Sequence, residues 1–234
     1  MTQLVFLPGL AADHMMWRAQ LAAMPTHLNA VVSTVHTQHP TLEQMAAALL
    51  HTYPDDLILV GASMGGMLAM EVVRQAPPRV RGLALLGTVA RPEMPVMRDL
   101  REAAIRLFEQ GRVEEVLRFN LPQAFHASRA DDLGLQQTYL DFVMAAGPAQ
   151  LIAQNRAVIA RPDARPHLGR ITCPTLVLCG DSDRLTPPEC SEEMAALIPG
   201  AELHLIPQCG HMLSMERPIE VNALLLVWLE KFQP

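Results

Sequence analysis

Among the residues of this chain that could do chemistry, Ser63 comes first. It stands in Gly61-Ala62-Ser63-Met64-Gly65, a G-x-S-x-G. Residues 57–60, Leu-Ile-Leu-Val, read as a buried strand, and Leu68, Ala69 and Met70 begin a helical run. A serine at such a strand-to-helix turn has its hydroxyl pushed out at the carboxyl end of the sheet. The flanking glycines supply the room that strained main chain needs. The next helix begins at the same point, so its free amides can face a developing negative charge. Together these are the parts of a nucleophile that attacks a carbonyl. The same glycines also fit a turn that binds something or merely turns.

The stretch resembles the nucleophile elbow of the α/β-hydrolase family. The resemblance implies an acid and then a histidine in that chain order, each just after a late strand. Of nine histidines, His211 has the right order and strand context, in Gln208-Cys209-Gly210-His211. Gly210 would leave the main chain free to turn the imidazole inward, and the downstream Glu216-Arg217-Pro218 is also similar to family members. His204 falls inside a strand. His14, His27, His36, His39, His51, His126 and His167 read as surface or insertion residues, with His14 and His126 able to reach a pocket mouth. For the acid, Gly180-Asp181-Ser182-Asp183 offers two carboxylates. The family places its acid three residues after the glycine with a Thr-Pro following, which selects Asp183, followed here by Thr186-Pro187. Asp181 then reads as a turn carboxylate bonding nearby amides. A serine hydroxyl is a poor nucleophile at neutral pH, so His211 would take its proton and Asp183 would hold the imidazole in the right tautomer.

By the same resemblance the oxyanion site is made of two backbone N–H groups, those of Met64 and Leu10. The loop after the first strand carries Pro8-Gly9 where many relatives have His-Gly. The expected pocket wall is apolar: Leu10, Met64, Met94, Met97, Phe108, Phe119, Phe125 and Met144. Methionines adapt to irregular shapes, which suits a tolerant acyl pocket, although each of these residues would equally serve as core of the inserted helices. Arg98, Arg101, Arg106, Arg112, Arg118 and Arg129 are spaced for helix surfaces, and Arg156 and Arg161 are open. An arginine facing Ser63 would point to an acid or thioester substrate.

The elements that must position these residues alternate. Apolar strands at residues 4–7, 30–35, 57–60, 80–87, 175–179 and 201–206 are separated by helical patterns. Those patterns cover residues 14–24, 41–52, 68–75, 188–198 and 219–232, the second opened by a capping box from Thr41 to Gln44. Near-continuous apolar strands argue an α/β fold with a mostly parallel central sheet covered by helices on both faces. Residues 91–167 break the alternation with helical spacing only, as in Leu100, Ala104, Leu107 and Phe108 and in Leu135, Tyr139, Phe142 and Val143. In the family such a block forms a helical lid over the serine, which divides the chain into a core of residues 1–90 and 168–234 and a lid insertion of 91–167. The two antiparallel strands that commonly precede the family's first parallel strand have no counterpart before residue 4.

The bulk numbers bound the function. The 234 residues suit one sizeable core, and the net charge of −6 with no Lys/Arg cluster argues against nucleic acid. No apolar run approaches a membrane span of ~20 residues. Four cysteines without C-x-x-C spacing, and no leader pattern, read as reduced thiols in a cytoplasmic protein. No metal constellation, P-loop or dinucleotide fingerprint is present, so no cofactor is expected. The expectation is a carboxylic-ester hydrolase acting on a small molecule with a short to medium acyl chain. A lactonase, thioesterase, carbon-carbon bond hydrolase or acyltransferase would use the same three residues, a perhydrolase would add peroxide-dependent oxidation, and a ligand receptor would use the pocket without chemistry.

Overall fold

A computed structural model of the chain describes residues 2–232. Residues 1, 233 and 234, on which the expected core segments begin and end, lie outside the described residues. Six strands form one sheet: β1 (Thr2–Leu7), β2 (Val31–Val32), β3 (Asp56–Ala62), β4 (Val80–Leu86), β5 (Thr175–Gly180) and β6 (Glu202–Ile206). Their spatial order is β2-β1-β3-β4-β5-β6, and every pairing is parallel. From β1 the chain steps outward to β2 and then returns to place β3 on the other side of β1. The loops after β1 and β3 therefore diverge at the carboxyl edge, the place where an open parallel sheet offers a crevice.

The strands alternate strictly between two cores. Leu4, Phe6, Ile58, Val60, Leu176 and Leu178 face one side, and Val5, Leu7, Leu57, Leu59, Leu83 and Val177 the other. The first side is covered by the segment around Trp17, by α1 (Arg18–Ala23) and by α9 (Pro218–Leu229), which contributes Val221, Leu225 and Trp228. The second side is covered by α2 (Leu42–Thr52), α3 (Met64–Gln75) and α8 (Pro188–Leu197). Fully burying each such aliphatic side chain contributes roughly 1.5–3 kcal/mol, so the sheet is the rigid part of the molecule. At the start of α2 the Thr41 hydroxyl accepts from the Gln44 N–H at 3.2 Å, as the capping pattern predicts.

Two expectations need correction. The strand expected over residues 30–35 shrinks to Val31–Val32. After two paired residues the Ser33 N–H closes onto the Phe6 carbonyl and the chain turns into a short 3₁₀ segment at Val35–Thr37. His36, expected at the surface, is thereby carried inward and is only 2% exposed.

Residues 91–167 contribute no strand among the described residues. They form α4 (Pro95–Glu109), α5 (Val113–Ala124) and α6 (Leu133–Ile159), with the short α7 (Arg165–Leu168) at the end. The span of α6 contains a break: Gly147 takes φ 75° and ψ 168° immediately before Pro148. Proline disfavours the αR conformation in the residue before it, and only glycine takes that φ and ψ freely. The break falls just after the helical pattern that the sequence carries from Leu135 to Val143.

Candidate active site

Ser63 sits where β3 ends and α3 begins, with φ 52° and ψ −118°. A positive φ in a residue with a Cβ stores strain of roughly 1–3 kcal/mol and persists only where the surroundings enforce it. They do so here. The Ser63 N–H donates to the Leu86 carbonyl at 2.9 Å, and the Thr88 hydroxyl donates to the Ser63 carbonyl at 2.6 Å. The elbow also needs its glycines for space: a Cβ on Gly65 would fall into the Leu7 carbonyl, and one on Gly61 into the carbonyl of Gly65.

The structure brings three distant residues together. His211 Nε2 lies 3.0 Å from Ser63 Oγ, and His211 Nδ1 lies 2.8 Å from Asp183 Oδ2. Asp183 is held on every side. Its Oδ1 accepts the N–H groups of Leu185 and Thr186 at 2.8 and 2.9 Å, and its Oδ2 also accepts the Thr186 hydroxyl at 2.8 Å. Burial opposes its ionisation, yet the facing His211 charge and these hydrogen bonds hold the carboxyl below the usual range. His211 shows the reverse competition. Burial pushes it toward the neutral form, but the Asp183 charge and hydrogen bond win and raise it above 6.5. Asp181 bonds the N–H groups of Gln208 and Cys209 and the Ser182 hydroxyl, so it braces the two loops and does not touch the imidazole. Burial pushes the Cys179 thiol up to about 12 and raises the Cys209 thiol too, so neither supplies a rival nucleophile.

The loop carrying His211 turns differently from the expectation. The left-handed residue is Gln208, at φ 51°, and not Gly210. Gly210 serves close approach instead, since its Cβ would lie 2.6 Å from the His126 N. The buried Glu216 joins the two segments by accepting from the Gly210 N–H at 3.0 Å and the His126 N–H at 2.8 Å. His126 therefore meets this loop through its backbone, while its ring bonds Ser128.

At the loop after β1, the N–H groups of Leu10 and Met64 have no acceptor among the described residues. The neighbouring Ala11 is strained, at φ 56°, and its N–H donates to Gln154 Oε1 at 2.6 Å. Gln154 Nε2 donates in turn to the His36 carbonyl at 2.9 Å, and His36 Nε2 lies 2.9 Å from the Ala12 carbonyl. Burial keeps that imidazole below its usual pKa and hence neutral at pH 7. Gln154, from α6, was not legible as a site residue because nothing local marks it.

The apolar wall expected from the sequence does not assemble as a set. Phe119 is 82% exposed, Met94 58% and Met144 40%. Phe108 and Phe125 are buried in the hydrophobic cluster that joins the helical block to the first face of the sheet, with Phe125 packed edge-on against Tyr139. Helical spacing marks which residues can share a face, but not whether that face meets Ser63 or a neighbouring helix. A cavity of about 640 Å³ lies elsewhere, between α3 and residues 157–171, lined by Met67, Met70, Arg161 and His167. Among the described residues no cluster of three or more His, Cys, Asp or Glu could hold a metal ion, and no helix is long and apolar enough to cross a membrane.

A serine hydroxyl on an imidazole, that imidazole on a buried carboxylate, and free backbone donors beside it form a set able to transfer an acyl group. The family model for the alpha/beta hydrolase fold matches residues 33–218, and the chain belongs to that family. It is 27% identical to a protein of Serratia proteamaculans (strain 568) that bears the name carbamate hydrolase RutD, over 98% of this chain and 91% of that one. It is 28% identical to the pimeloyl-[acyl-carrier protein] methyl ester esterase of Aromatoleum aromaticum, over 95% of this chain and 96% of that one. A thermophilic esterase from Thermogutta terrifontis, solved with malate bound, superposes with a TM-score of 0.89 at 27% identity, covering 99% of this chain and 90% of its own. The protein is an enzyme of the hydrolase class.

Proposed function

We propose that the protein hydrolyses small-molecule carboxylic esters of short to medium acyl length through an acyl-serine intermediate. The observation that carries this reading is the unbroken chain Ser63 Oγ–His211–Asp183, with contacts of 3.0 and 2.8 Å. In it His211 Nε2 takes the Ser63 proton as Oγ attacks the carbonyl carbon, and returns it to the leaving alcohol. Water then repeats the sequence on the acyl-enzyme. Asp183 fixes the Nδ1–H tautomer and stabilises the imidazolium. The oxyanion is received by the N–H groups of Met64, at the start of α3, and Leu10. Two relatives bearing esterase names support ester substrates, and residues 91–167 act as a lid over the serine. Four unpaired cysteines suit a reducing, cytoplasmic setting.

A fluorophosphonate tests the assignment directly. Intact-mass and peptide analysis should show one adduct, on Ser63, that is absent from His211→Ala at equal protein concentration. Labelling spread over other serines, or undiminished in that variant, would remove the basis for the mechanism.

Gln154 belongs to this reading as a positioning residue, because it clamps the strained residue next to the Leu10 donor. Gln154→Leu leaves the Ala11 N–H and the His36 carbonyl buried and unpaired, a loss of roughly 1–3 kcal/mol for each group left unsatisfied. Its kcat should fall about 10-fold or more, because the donor drifts from where the oxyanion forms, while KM changes little. A KM effect with intact kcat would assign Gln154 to substrate binding instead.

A further inference from the structure

Arg101 lies on α4 in a helix-surface pattern, yet the structure draws it inward, its side chain only 26% exposed. Its Nε donates to Glu93 Oε2 at 2.6 Å and its Nη1 to Asn155 Oδ1 at 2.9 Å. Glu93 is already engaged: Arg161 Nη1 reaches the same Oε2 at 2.9 Å, and its Nη2 reaches Oε1 at 3.3 Å. Glu93 and Arg161 are almost wholly buried, with side chains 4% and 6% exposed. Two guanidinium groups therefore share one carboxylate, which leaves one positive charge inside a protein whose net charge is −6. Arg161 also donates from Nε to the Arg91 carbonyl and from Nη1 to the Val158 carbonyl. The Nη2 of Arg101 has no acceptor among the described residues, so the surplus charge and the free donors are on the same group.

That group also lies within electrostatic reach of the candidate site. Asn155, which holds it, is the next residue after Gln154, which holds the loop of the Leu10 donor. The positive charge of Arg101 is felt at His211, where it opposes protonation of the imidazole. A half-buried cation that shares its anion with a second guanidinium is unfavourable unless something completes it.

We propose that Arg101 is the specificity element of this site and that the preferred substrate is an ester whose acyl chain ends in a free carboxylate. A planar guanidinium fork is suited to a carboxylate, and Glu93 and Asn155 fix its orientation in advance. The other groups near it are Glu93, which anchors it, and Arg161, which repels it and so strengthens its demand for an anion. The inference rests on the ester-hydrolase reading for its chemistry, but the binding step can be tested without turnover.

The experiment compares matched pairs of methyl esters that differ only at the far end: monomethyl adipate with methyl hexanoate, and monomethyl glutarate with methyl pentanoate. Wild type should favour the carboxylate-bearing member about 10- to 100-fold in kcat/KM, the value of one charge-assisted contact. Arg101→Gln should lose that preference, its loss on the carboxylate-bearing member exceeding any change on the neutral member by about 10-fold or more, and Arg101→Lys should keep part of it. No preference in wild type, or an equal loss on both members in Arg101→Gln, would overturn the proposal. Adipate binding by calorimetry gives the second readout. If neither ester is turned over, adipate binding that disappears in Arg101→Gln upholds the anion site while the ester reading fails. Absence of adipate binding to folded wild type would overturn the anion site itself.

Discussion

Ser63→Ala is expected to lower ester turnover by about 10⁵-fold or more, equivalent to about 7 kcal/mol of transition-state stabilisation, with no loss of fold. The size follows from the mechanism. Without Oγ no covalent intermediate can form, and His211 Nε2 loses its partner at 3.0 Å. The stability half of the expectation follows from the elbow. Everything that enforces the strained φ of 52° is backbone or belongs to other residues: Leu86 O, the Thr88 hydroxyl and the packing of Gly61 and Gly65. Alanine therefore inherits the same geometry and strain. Ser63→Gly, which escapes the strain, should be equally inactive and melt no lower than Ser63→Ala, the pattern of a position where function maintains an unfavourable backbone. Steady-state kinetics with nitrophenyl esters beside a thermal melt check both halves. Residual turnover within about 10-fold of wild type would assign the nucleophile elsewhere.

The parts of this arrangement that the sequence displays are those written locally. Ser63, Asp183 and His211 each follow an apolar strand within a few residues, so strand context and chain order locate them although 148 positions separate the serine from the histidine. The parallel sheet is legible for the same reason, because each strand buried on both faces reads as an apolar run. The residues that hold the machinery in place carry no such mark. Gln154 reaches Ala11 across 143 positions, and Arg101 reaches Asn155 across 54. Both lie in amphipathic helices, where a polar side chain has the spacing of any solvated one. What distinguishes them is which neighbour α6 and α4 meet, and that is decided by packing around the break at Gly147, not by periodicity. The apolar wall misled for a related reason. Phe108 and Phe125 bury the inserted helices in the same hydrophobic cluster as Leu4, Phe6 and Trp17, so hydrophobicity there reports how the block packs on the sheet before it reports a pocket. His36 shows the converse: it sits in a bland sequence, yet burial and the Ala12 carbonyl make it a support of the loop after β1.

Asp183→Asn should produce the second largest effect and should also change the form of the pH profile. In wild type, His211 acts as a base only when neutral, and its pKa is raised above 6.5. The rate kcat/KM should therefore rise with pH through a single limb whose midpoint lies above 6.5, then level off. Asp183 Oδ1 accepts two backbone N–H groups, so the amide oxygen of the replacement will keep that place. Its NH₂ must then point at Thr186 Oγ1 and His211 Nδ1, which previously faced Oδ2. An imidazole offered a donor at Nδ1 places its own proton on Nε2, where it can no longer accept from Ser63. The plateau should fall about 10⁴-fold through this wrong tautomer. At the same time the charge that raised His211 is gone while its burial remains, so the midpoint of the limb should move to lower pH. The two changes separate an electrostatic partner from a merely structural carboxylate. Asp181→Asn serves as the control: it braces the Gln208 and Cys209 amides without touching the ring, so it should reduce stability and leave the limb where it is. A limb that moves in Asp181→Asn and stays in Asp183→Asn would transfer the acid's role to Asp181, and with it the geometry on which the mechanism rests.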